Sequence, residues 1–61
     1  MQADTRALDR NINRIRRDIR VYARQMQSRL DADEDCSAEA MALMRAEADL
    51  RLYLARREEL A

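Results

Sequence analysis

Asp31, Asp33, Glu34 and Asp35 place four carboxylates within five residues, and the single cysteine, Cys36, follows at once. Hard oxygen donors at this density are the raw material of a calcium site. A calcium loop of the EF-hand type also needs a glycine for its sharp turn and a glutamate at its twelfth position, and this stretch has neither. Specific calcium binding is therefore not expected. Carboxylates beside Cys36 disfavour its thiolate, so a reactive thiol is not expected either. The chain contains no His, which removes imidazole acid–base catalysis and leaves no plausible zinc set. It contains no Gly, so no loop can cradle phosphate in the usual way. The sequence thus assigns no catalytic residue, metal or cofactor, and predicts neither an enzyme nor a small-molecule substrate.

Arginine is the other chemistry-bearing type. Residues 1–30 carry eight Arg against three Asp, a balance of +5, and residues 31–61 carry four Arg against nine acids, a balance of −5. At about 100° per residue, Arg6, Arg10, Arg17, Arg20 and Arg24 gather on one side of a helix, with Asn13 among them. Such a stripe suits phosphate or an acidic partner. The plainer expectation is a solvated face, neutralised by the acidic half of a neighbouring subunit. No aromatic residue interleaves these arginines, which removes the usual platform for base stacking. Asp18 is placed to reach Arg14, while most of the outer arginines have no acid at helical spacing.

The elements that carry these groups follow from apolar spacing. Leu8, Ile12, Ile15, Ile19, Tyr22 and Met26 step by four and three in alternation, an unbroken heptad seam opposite the arginine stripe. Met1, Thr5 and Leu30 extend it imperfectly. The spacing predicts a helix over about 4–29, with Asp4 or Thr5 as N-cap. A second helix is predicted over about 37–60, capped by Ser37 or Asp35 and with Glu39 in its first turn. It carries two apolar faces. Leu43, Leu50 and Leu54 form one, flanked by Ala46 and Tyr53, with Cys36 at its start. Met41, Met44, Ala48, Leu52 and Ala55 form another, about 140° away on the wheel. A two-helix hairpin covers only one of them, so the other requires a further surface.

The connection is the acidic stretch at about 31–36. Asp side chains bond to nearby backbone and favour turns and caps over helix interiors. A continuous helix of 61 residues competes, because Cys36, Ala40, Leu43, Leu50 and Leu54 stay in phase with the first seam. It would place Arg29 and Asp33 at core positions and stack like charge on like charge. An antiparallel hairpin instead sets the basic half beside the acidic one. The predicted fold is all-α: one helical-hairpin domain over 1–61, assembling into a four-helix bundle or with a partner helix.

The whole chain is 61 residues, 48% hydrophobic, 3% aromatic and 39% charged, a helix-forming composition too short to bury a large core alone. One cysteine closes no internal disulfide, so self-association or a partner chain is the expected source of stability. Asp4, Arg6, Asp9 and Arg10 interrupt any early apolar run, and no membrane-spanning stretch occurs; the expected setting is cytoplasmic.

Leu30, Asp31, Ala32, Asp33 and Glu34 resemble the turn of the Rop family, and chain length, turn position and the heptad through Ile15 and Ile19 are similar too. The resemblance implies helical hairpins paired into antiparallel four-helix bundles that bind RNA stem-loops through their first helices. Near the family's RNA-contacting positions this chain has Arg10, Arg14, Asp18 and Gln25.

Three functions follow. The first is a non-enzymatic protein-interaction module of adaptor, chaperone or inhibitor type, working through Met41, Met44, Ala48, Leu52 and Ala55. Its partner is a second copy or another protein. The second is a Rop-like RNA regulator using Arg6, Arg10, Arg17, Arg20 and Arg24. The third is a structural coiled-coil segment.

Overall fold

A computed structural model describes residues 5–60. Two helices, α1 (Thr5–Asp31) and α2 (Ser37–Leu60), are joined by residues 32–36. The longest dimension is 53 Å, far below the roughly 90 Å of a continuous 61-residue helix. The chain is therefore a hairpin and not a rod. Asp4 as a cap and Met1 as part of the seam lie outside the described residues.

α1 runs two residues further than its periodicity predicts, because its end is closed by backbone bonds instead of by a change in side-chain pattern. The amide of Ala32 still donates to the Ser28 carbonyl at 3.1 Å. The amide of Glu34 then reaches back to Arg29 O at 2.8 Å, and that of Asp33 to Leu30 O at 3.1 Å. These two crossed bonds form a Schellman motif, which satisfies carbonyls left over at the helix end. The motif requires one residue in the left-handed region, and Asp33 supplies it with φ of 58°. Glycine normally takes that position; aspartate is among the few side chains that tolerate it. Gln27 Nε2 adds a 2.9 Å bond to Asp31 Oδ1 across the last turn.

The start of α2 falls where the sequence predicts, and the cap comes from Asp35. One carboxylate oxygen, Oδ1, accepts both the Ser37 amide at 3.1 Å and the Ser37 hydroxyl at 2.5 Å. Ser37 thus supports the cap as a donor and does not form it. The first helical bond runs from the Ala40 amide to Cys36 O at 2.9 Å.

Two ion pairs fix the antiparallel register. Arg29 Nε meets Glu39 at 2.7 Å near the linker, and Arg57 Nε meets Asp9 at 2.5 Å at the open end. Burial is greatest near the open end. Leu8, Ile12 and Ile15 are buried, Ile12 to 4% exposure, whereas Ile19, Tyr22 and Met26 are only half-buried. The register explains this gradient. Leu8 to Ile15 lie beside the half of α2 that holds Leu50, Tyr53 and Leu54. Tyr22 and Met26 lie toward the linker, where α2 offers mostly small side chains, Cys36, Ala40, Ala42 and Ala46, around Leu43. Leu54, expected on the packed face, is 37% exposed at the edge of this core.

Candidate functional site

The packing side of α2 is built from Ala42, Leu43, Ala46, Leu50 and Tyr53, all half-buried against α1. Ala46 and Leu50 sit two positions either side of Ala48, so each is about 160° from it around the helix. The second apolar face is thus nearly opposite the first, a wider separation than the leucine positions alone suggest. It is uncovered throughout. Met41 is 71% exposed, Met44 68% and Leu52 71%, and Ala48 and Ala55 are exposed as well. Two shallow hollows line it, one among Met41, Ala42, Met44 and Arg45, the other among Asp49, Leu52, Tyr53 and Arg56. Unbranched methionines and small alanines let such a surface adapt to, or closely approach, whatever packs on it.

Charged side chains frame the face. Arg45, Asp49 and Arg56 run along one border, Glu47, Arg51 and Glu58 along the other, and all six are exposed. Arg45 and Asp49, like Glu47 and Arg51, stand four apart, a spacing that permits pairing along the helix. Among the described residues, none of the six takes part in an ion pair.

The arginine stripe of α1 is likewise on the surface. Arg6, Arg10, Arg17, Arg20 and Arg24 are all exposed. Among the described residues, Arg10, Arg17, Arg20 and Arg24 have no ion-pair partner. Arg16, Arg17 and Arg20 also border a shallow groove that descends to Ile19 and Leu50. The expected Asp18–Arg14 pair does not form. The charge complementarity between the two halves therefore acts through few contacts. One of them, Asp9–Arg57, has the reverse polarity, with the acid on the basic helix.

Electrostatics concentrate at the linker instead. Arg29 bridges Glu39 and, at 3.9 Å, Glu34. The hydrogen bond from Glu39's own amide, and then that from Arg29, hold the Glu39 carboxyl below its ordinary value. The Asp35 carboxyl is held low by the Ser37 hydroxyl and then by the Ser37 amide. The Arg29 guanidinium is raised by its hydrogen bond to Glu39, and that of Arg57 by its bond to Asp9. Sequence reasoning missed both clamps because each depends on the register between helices, not on local spacing. The acidic cluster does not converge: Asp31 bonds Gln27, Asp35 bonds Ser37 and Glu34 faces Arg29. Among the described residues no group of carboxylates and thiol is arranged to hold a metal ion. Cys36 is half-buried with a free thiol. Among the described residues, no helix is long and apolar enough to cross a membrane.

The chain matches no protein-family model, no curated protein and no solved structure.

Proposed function

We propose that the chain is a protein–protein interaction module whose working surface is the Met41, Met44, Ala48, Leu52 and Ala55 face of α2. The observation that carries this reading is the exposure of three large apolar side chains, Met41, Met44 and Leu52, in one row. Contiguous apolar rows rimmed by charge mark interaction sites. Total area supports it. The hairpin exposes 5213 Å², against about 4,100 Å² for a compact monomer of its mass. The excess, roughly 1,100 Å², is the scale one partner contributes to a stable interface. The free thiol fits a reducing, cytoplasmic setting. The module does its work by binding, as adaptors, chaperones and inhibitors do.

Replacing Met44 and Leu52 by Glu tests the reading. Lost burial and introduced charge should abolish association, a change of several kcal/mol, while α1 packing survives because both side chains face away from it. Unchanged molar mass and unchanged partners in the double variant would refute it.

A second reading, an RNA regulator similar to the Rop family, draws support from the exposed Arg10, Arg17, Arg20 and Arg24, which have no ion-pair partner among the described residues. Phosphate contacts would make affinity fall steeply with salt, and Arg17→Gln with Arg24→Gln would flatten that slope without unfolding the hairpin. The net charge of zero disfavours general nucleic-acid binding. We expect no tight RNA complex at physiological salt. A salt-sensitive, submicromolar complex with a structured RNA, lost in that double variant, would reverse the ranking.

A further inference from the structure

We infer that the uncovered face of α2 pairs with the same face of a second copy, antiparallel, about a two-fold axis at Ala48. The inference rests on the interaction reading of that face and names its occupant.

The first ground is that the face is self-complementary in size. A two-fold axis beside Ala48 sets Met41 opposite Ala55 of the second copy, Met44 opposite its Leu52, and Ala48 opposite its own equivalent. Long side chains meet short ones at the ends, and two alanines let the backbones approach at the centre. A parallel pair would instead set Met41 on Met41 and Ala55 on Ala55, crowding one end and leaving a gap at the other.

The second ground is charge: the borders are complementary to a second copy in either direction, and the acidic linkers choose between the two. In an antiparallel pair, like borders adjoin. Arg45 then lies one turn or less from Asp49 of the second copy, and Arg51 from its Glu47, each contact occurring twice by symmetry. Among the described residues, these side chains carry no ion pair within the hairpin. The antiparallel arrangement also separates the two acidic linkers, which a parallel pair would bring together.

The third ground is the division of apolar surface between the helices. α1 has one seam and α2 has two nearly opposite faces, so α2 suits an inner position and α1 an outer one. The product is an open layer in the order α1, α2, α2, α1, with both arginine stripes on its outer edges. It differs from a closed four-helix bundle, in which each helix packs against two neighbours on adjacent sides.

Sedimentation equilibrium on four chains tests this. The native chain should be a dimer. Arg45→Asp sets acid against Asp49 of the second copy and should weaken the dimer by roughly tenfold or more. Adding Asp49→Arg restores opposite charges only in the antiparallel register, and should recover native affinity. In a parallel register the same exchange would face Glu47 and Arg51 with like charges and weaken the dimer further. A monomeric native chain, or a loss that the second exchange does not repair, overturns the antiparallel pair. The Met44→Glu/Leu52→Glu chain separates that failure from the broader one. If it alone is monomeric, α2 remains an interface in another arrangement. If it keeps both the native molar mass and the native partners, the interaction reading falls as well.

Discussion

Arg29 in the last turn of α1 and Glu39 in the first turn of α2 meet at 2.7 Å, spanning the acidic linker and closing the hairpin at its neck. Both sit at helix ends whose dipoles they suit, a cation at a C-terminus and an anion at an N-terminus. The pair holds the two ends in register, and Glu34 adds a weaker contact to the same guanidinium at 3.9 Å.

Acid should therefore open this end first. Glu39 and Asp35 both have folded-state pKa values below their ordinary 4.5 and 3.8. A lowered carboxylate contributes stability that is present above its unfolded pKa and is lost as pH falls through the folded one. Melting temperature by circular dichroism should be flat from about pH 7 to 5 and drop below about pH 4. Glu39→Gln should be less stable at neutral pH and show a shallower acid drop. An unchanged acid profile in that variant would assign the drop elsewhere.

Asp33 tests the closure of α1. Its left-handed backbone costs a side-chain-bearing residue energy that glycine avoids. Asp33→Gly should raise stability by about 0.5 kcal/mol, partly offset by the freer unfolded chain, and Asp33→Val should lower it by about 1–2 kcal/mol. Denaturant midpoints at constant slope would read both changes.

Much of this hairpin is legible in the residues. The seam from Leu8 to Met26, the second helix beginning at Ser37 and the exposed arginines all follow from spacing and from where Asp and Ser cluster. The end of α1 does not, because a chain without glycine carries no flag for the left-handed residue. Nor do Asp9–Arg57 or the exposure of Leu54, which depend on how far one helix slides along the other. The near-opposite placement of the two α2 faces emerges only once Ala46 and Tyr53, and not the leucines alone, define the packed side.

Ile12 should be the most sensitive core position. It is 4% exposed in a hairpin with few buried side chains. Ile12→Ala should cost about 2–4 kcal/mol, a large share of what so small a domain has. Ile19→Ala, at a half-buried position, should cost distinctly less. Equal losses at the two sites would contradict the burial gradient along α1.

Methionine oxidation reports on the α2 face most directly. Met41 and Met44 are exposed in the single hairpin, whereas Met26 is half-buried against α2. Peroxide converts accessible thioethers to sulfoxides at rates that follow exposure. Rates at the three residues would be followed by mass spectrometry as protein concentration rises. If α2 pairs with α2, oxidation of Met41 and Met44 should slow as the dimer fills while that of Met26 stays constant. Rates at Met41 and Met44 that remain those of exposed methionine at every concentration would contradict a face built to be covered by a second copy.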